Sequence, residues 1–250
     1  MRYSKCSLYI LHFTFYIPSV FPLPFRLERT KNRTSRATIV DDIIVIRLAG
    51  HLPKSEEQRH IDSLLKRMTK VQVALRDAPL IDPFRPLLRG ETEASVTFGD
   101  GSVRQFVVTA GTRTRAQFEE NRWIIRRASS CSEPAFHRFL WRLLAISEQS
   151  RIAAQVKTIN DATFRERIGR IRLRFMRARW GSCARSGTIN LNTALLFVSP
   201  ALLHYVILHE LAHRGYPNHS KAFWGSLARF LPDHCTLKKS LKYHRLPHVL

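Results

Sequence analysis

Cysteine is scarce in this 250-residue chain and scattered where it occurs. Cys6, Cys131, Cys183 and Cys235 form no Cys-x-x-Cys pair, which excludes a zinc ribbon and a disulfide framework. A reducing compartment follows, and a cytoplasmic location is expected. Acidic residues are few, 19 against 41 basic ones, leaving a formal charge of +22. Uninterrupted membrane-length apolar runs are missing as well. Arg2 and Lys5 precede an apolar run from Leu8 to Phe25, but Pro18, Pro22 and Pro24 break it, His12 lies inside it, and no small-x-small cleavage site follows. Residues 1–30 are therefore expected to be a disordered extension or an unused start, without stable membrane insertion. What remains is long enough, and at 44% apolar content rich enough, for one soluble domain. That domain is expected over residues 31–243, β-rich to residue 130 and carrying the chemistry from 131 onward, with a tail at 244–250.

The chemistry is concentrated in Tyr205-Val206-Ile207-Leu208-His209-Glu210-Leu211-Ala212-His213, followed by His219. Histidines at i and i+4 share one helix face, so His209 and His213 can converge on one ion. Glu210 lies beside the first ligand, close enough to hold a water as general base. Given 11 His and 11 Glu in the chain, His-Glu-x-x-His is expected by chance only about 0.02 times. Ser199-Pro200 supplies a helix start. Leu203, Val206, Ile207 and Leu211 form an apolar stripe, and Gly215 and Pro217 stop the helix. The reversal lets His219 add a third ligand and leaves a fourth position open, as in catalytic zinc sites.

A third histidine ten residues after the first also occurs in metzincins. Their glycine would fall at Tyr216, however, and the glycine here is one earlier, at Gly215. Met1, Met68 and Met176 all precede the motif, so no Met-turn follows it.

The blocks Arg179-Trp180-Gly181-Ser182-Cys183, Ile189-Asn190-Leu191-Asn192, Tyr205 to His213, Asn218-His219-Ser220, Phe223-Trp224 and Pro232-Asp233 resemble, in order and spacing, the YgjP-like metallopeptidase-domain family. The resemblance is strongest from about Arg165 to Leu241. Arg33 to Pro53 looks like its opening strands, and Gly99 to Arg127 is similar to its middle ones. It implies a zincin-like α+β fold, Zn2+ as cofactor, His209, His213 and His219 as ligands, Glu210 as the catalytic residue, and peptide or protein substrates.

The flanking pattern fits that fold class. Thr38 to Leu48 reads as a hairpin turning at Asp41-Asp42, and a helix starts near Ser55 with Ile61, Leu64, Leu65, Met68 and Val71 at helical spacing. Val96 to Phe98, Gln105 to Thr109 and Trp123 to Ile125 read as strands. A long helix from Pro134 is expected to bury Phe136, Phe139, Leu140, Leu143, Leu144 and Ile146. Arg170 to Phe175 alternates charged and apolar residues like a strand with one wet face, and Ser186-Gly187 turns a hairpin. By analogy with zincin-like folds, Ile189 to Asn192 is expected to line a substrate groove.

Charge leaves other functions open. Residues 1–130 carry 22 basic and 13 acidic side chains, residues 131–250 carry 19 and 6, and eight arginines against Glu166 lie between Arg165 and Arg185. Such a surface attracts nucleotides, nucleic acid or acidic proteins, although 31 Arg against 10 Lys also fits compositional bias with solvated side chains. Besides a zinc metallopeptidase, the sequence thus admits a zinc-dependent nucleotide phosphoanhydride hydrolase on the same site, and a non-enzymatic nucleic-acid-binding protein braced by structural zinc. Tyr205, Tyr216, His204 and His234 are all near enough in sequence to stabilise an oxyanion, and no spacing rule selects one. Substrate-binding residues and oligomeric state are not legible.

Overall fold

The computed structural model describes residues 25–40, 43–76 and 80–246. The apolar run before Phe25 and the turn at Asp41-Asp42 lie outside the described residues. The chain forms two compact units, Met1–Ala78 and Pro79–Leu250.

In the first unit, β3 (Ile43–Ala49) is the middle strand, antiparallel to β2 (Arg36–Val40) and parallel to β1 (Phe25–Thr30). The expected hairpin is β2–β3. The extension expected over residues 1–30 gives up its last six residues to β1, whose whole length pairs from Phe25 opposite Ile44 to Thr30 opposite Ala49. The helix α1 (Lys54–Arg76) carries Glu56 and Glu57 in its first turn, where carboxylates suit the exposed N–H groups. Its Ile61 and Leu64 pack on Ile44, Ile46 and Leu48.

The second unit has a separate and larger core. Its first sheet runs in the order β4 (Glu93–Thr97), β5 (Val103–Gly111), β7 (Arg122–Ala128), β6 (Arg115–Glu119). These strands share one core with the helix behind them: Val96, Phe106 and Ile125 cluster with Phe136, Leu140 and Leu144. The division into compact units falls near residue 78. β6 falls in a stretch that reads as polar loop. Arg-Ala-Gln-Phe-Glu buries little as an edge strand, and it turns into β7 through Glu120 and Asn121, both at positive φ.

A single turn, α2 (Arg85–Leu88), precedes that sheet, and the helix α3 (Glu133–Ala162) follows it. Of the six residues expected to be buried in α3, Phe136, Leu140, Leu143 and Leu144 are. Phe139 is half-buried and Ile146 is 57% exposed. The inward stripe runs through residues 140, 144, 148 and 152, and position 146 points about 160° from 144 at 100° per residue. Glu148, fully buried on that stripe, accepts from Arg104 at 2.8 Å and Arg151 at 2.7 Å.

A second sheet follows in the order β8 (Ile171–Arg174), β10 (Ile189–Asn192), β9 (Gly181–Cys183). β8 and β10 are parallel, and β9 and β10 form the hairpin, with Gly187 at φ +83° in its turn. A 3₁₀ turn at Thr193–Phe197 leads to α4 (Pro200–Ala212), then α5 (Lys221–Ala228) and α6 (His234–Leu241). The result is α+β, with the strands, long helix, hairpin and histidine helix in the predicted order. The expected tail begins fixed, because Ile81 N–H donates to the Arg245 carbonyl at 3.0 Å. Among the described residues no helix is long and apolar enough to cross a membrane.

Candidate metal centre and cleft

α4 is wrapped on nearly all sides. Leu202, Leu203, Val206, Ile207, Leu208 and Leu211 are buried, so its register is fixed by packing and its polar positions are aimed without freedom. Its start is fixed as well: Gly99, in the β4–β5 turn, donates to the Leu196 carbonyl at 2.8 Å, and a Cβ there would overlap the Val198 carbonyl.

At the other end, His209, His213 and the exposed His219 bring one nitrogen each to within 4.8 Å of one another. His209 and His219 face each other Nε2 to Nε2 at 3.0 Å. His213 Nδ1 lies 3.1 Å from the Tyr216 carbonyl. A carbonyl only accepts, so Nδ1 carries a proton and Nε2 is the nitrogen turned to an ion. Tetrahedral nitrogens about 2.0–2.1 Å from zinc lie roughly 3.4 Å apart. Three imidazoles converging on this scale fit Zn2+.

Two of the three imidazoles are biased toward the neutral form. Burial presses the His209 pKa down to about 3, with His213, His219 and Lys238 adding to it. The His219 pKa is also lowered, first by burial and then by His213 and Lys238. Phe223, fully buried, forms the floor, its ring 4.8–5.0 Å from all three imidazoles. Ser220 caps α5 by accepting from Phe223 N–H, and this sets the position of the preceding His219. Trp224 stacks on His219 at 5.5 Å and on His234 at 5.6 Å, with Lys238 Nζ 4.1 Å from its ring centre.

Glu210 is 5% exposed. Burial pushes its pKa up to about 8, while the Arg179 guanidinium pulls the other way. Its carboxyl lies against β9: a Cβ on Gly181 would sit 2.5 Å from Glu210 Oε1. The glycine of Trp-Gly-Ser-Cys thus makes room for the glutamate. The loop before it is held by Asn192, whose buried Nδ2 donates to the carbonyls of Met176 (2.7 Å) and Arg179 (2.8 Å) while Oδ1 accepts from Ala194 N–H. Cys183, next along β9, has its thiol pKa raised by burial and then by Glu210.

These groups line a cleft of about 860 Å³, whose other walls include Arg179, Arg185 and Arg214. None of Tyr205, Tyr216, His204 and His234 lines it. Tyr205 packs behind His209, its hydroxyl pKa pushed up to about 12 by burial. Tyr216 contributes its carbonyl and His234 its stacking. His204 is half-buried, which lowers its pKa. The groove expected along Ile189 to Asn192 is corrected: β10 is the central strand, with Ile189, Leu191 and Asn192 buried, and the strand beside Glu210 is the edge strand β9. Arg172 and Arg174 are exposed on β8, the opposite edge.

Sequence reasoning matched Arg179 to Cys183 as a block but gave it no role. The available signal was a glycine in a strand, which marks a close approach. Asn192 and Phe223 had no comparable signal.

A family model described as the YgjP-like metallopeptidase domain matches residues 33–244. No curated protein matches the chain. Among solved structures, the metallopeptidase zymogen abylysin of Pyrococcus abyssi is similar at 20% identity, over 38% of this chain and 99% of its own, with a TM-score of 0.35. The metallopeptidase zymogen jannalysin of Methanocaldococcus jannaschii is similar at 27% identity, over 36% of this chain and 92% of its own, with a TM-score of 0.33.

Proposed function

The chain belongs to the YgjP-like metallopeptidase-domain family, and from that premise we propose that it hydrolyses peptide bonds, with His209, His213 and His219 holding one zinc ion and Glu210 acting as general base and acid. The observation that carries this reading is the convergence of three imidazole nitrogens beside a buried carboxylate.

Zinc bound there supplies a Lewis acid that polarises the scissile carbonyl and eases proton loss from water. The protein's own groups do the rest. Glu210, pressed against Gly181, takes the water's proton and returns it to the leaving amine. Its burial favours the protonated form it must pass through. β9 offers unpaired backbone groups beside Glu210, so an extended peptide can pair with that edge and lie across the carboxylate. Arg179 is the cation whose field reaches Glu210, and it lines the cleft, whereas none of the four residues named from sequence does.

The alternative, a nucleotide phosphoanhydride hydrolase on the same site with the arginine strand Arg170 to Phe175 holding the phosphates, has less support, because Arg172 and Arg174 stand on the edge of the sheet opposite β9. The test is zinc per chain by elemental mass spectrometry, wild type beside His219→Ala, followed by cleavage of unfolded peptides with and without chelator. About one zinc per chain, weakened by the substitution, with chelator-sensitive cleavage, is expected. A zinc-loaded protein that cleaves no peptide would overturn the reading.

A further inference from the structure

We propose, resting on the peptidase reading above, that this cleft selects peptides with acidic residues flanking the scissile bond, held by Arg179 and Arg185 at the two ends of β9. Three arginines line the cleft, and they differ in what they are free to do. The Arg214 guanidinium is occupied, donating to the carbonyls of Arg167 (3.2 Å), Ala184 (3.4 Å) and Arg185 (2.9 Å). Arg179 and Arg185 are exposed, and their guanidiniums have no hydrogen-bond or ion-pair partner among the described residues.

Their backbones are nonetheless pinned. The Arg179 carbonyl accepts from Asn192 and the Arg185 carbonyl from Arg214. Each is therefore a free charge on a fixed base, an arrangement that limits the ordering cost of gripping a ligand. Among the described residues the only carboxylate lining the cleft is Glu210, which is buried and assigned to the proton. Glu166, whose charge reaches Cys183, does not line it. Acidic side chains on a substrate would thus meet two unpaired guanidiniums and little repulsion at the rim.

Geometry sets where those side chains fall. Arg179 and Arg185 are six residues apart around an edge strand, a span of at most about 20 Å. A peptide paired with β9 over that distance runs past Glu210 near its middle, so the two arginines meet residues on either side of the bond being cut. Guanidinium and carboxylate then form charge-assisted bonds.

The experiment compares quenched fluorescent peptides with one common core and flanks of Glu, Gln or Lys, at low and at high salt. Glu-flanked peptides are expected to be cleaved with kcat/KM about tenfold above Gln-flanked ones, mainly through KM, and the gap should shrink as salt screens it. The double substitution Arg179→Glu, Arg185→Glu should turn the preference toward Lys flanks. Binding of the same peptides to zinc-loaded Glu210→Gln, read by fluorescence anisotropy, gives the preference without turnover. Equal cleavage and equal binding of Glu and Gln peptides would overturn the selectivity and leave the peptidase reading standing. Failure to cut any peptide with zinc bound would overturn both. Hydrolysis of inorganic triphosphate without an acidic-peptide preference would assign the arginines to phosphate and overturn the proposal.

Discussion

β8 and β9 are the two edges of one three-stranded sheet, both paired to β10, yet they are built from opposite materials. β8 alternates, Ile171 and Leu173 inward and Arg172 and Arg174 outward, and it lies against α3. β9 is Gly-Ser-Cys, three residues with no alternation and none fully buried, and it lies against α4. The first is a strand because its side chains demand a wet face and a dry one. The second is a strand because its neighbours hold it there: Asn192 fixes the loop ahead of it, and Ser186-Gly187 turns the chain back behind it. Regular patterning thus marks the edge that stabilises the sheet, and missing side chains mark the edge that works.

The sharpest way to break that contrast is at Glu210, whose carboxyl lies against Gly181 of β9. Glu210→Gln should keep zinc and fold, and lower turnover by about 10²–10⁴-fold, measured as kcat on a zinc-loaded protein of unchanged Tm. Gly181→Ala comes next. The added methyl group displaces the carboxylate and not the backbone, so kcat should fall by about tenfold or more while stability changes by only about 1–3 kcal/mol. A loss of fold without loss of specific activity would count against the close approach.

On the β8 side, Glu148→Ala should strip Arg104 of β5 of its carboxylate partner and leave Arg151 of α3 with Asp100 alone, at a cost of about 2–3 kcal/mol, less than for a fully enclosed pair because Arg151 is 40% exposed. Denaturant unfolding measures this, and kcat of the folded enzyme should be unaffected. Arg172→Ser with Arg174→Ser should leave peptide cleavage unchanged. If that strand binds nucleic acid, the salt dependence of affinity should lose about two charges of slope.

The smallest effect concerns Asp100, whose pKa lies below the usual carboxylate value, chiefly through the Ser102 hydroxyl. A carboxylate with a depressed folded-state pKa adds stability above its unfolded pKa and loses it as pH falls through the folded one. Asp100→Asn should therefore lower Tm slightly near pH 7, and the difference from wild type should vanish at strongly acid pH.

The histidine helix was legible because its spacing is a chemical requirement, β8 and α3 because they repeat, and the β9–β10 hairpin through its Ser186-Gly187 turn. β6 was not, since an edge strand carrying Arg115, Gln117 and Glu119 has no apolar period to detect. Ile146 misled for the opposite reason: an apolar residue within a periodic run still lies on the wet side if its angle is wrong. The four oxyanion candidates were chosen by closeness in sequence, whereas the cleft is walled by a loop some 30 residues before Glu210 and held by a buried amide. Nothing local in Asn192 distinguishes it from Asn190.

The tip of the β4–β5 turn carries a last consequence. Gly99 leaves no gap between the first sheet of the second unit and the start of the helix that presents Glu210. Anyone seeking to shrink this protein to its chemistry would be tempted to begin at α3, just ahead of the histidine motif. Such a fragment would leave the Leu196 carbonyl without its donor and the entrance to α4 without a wall. The smallest transplantable version of this centre begins upstream of residue 93, and the sheet that takes no part in the reaction is a condition for moving it.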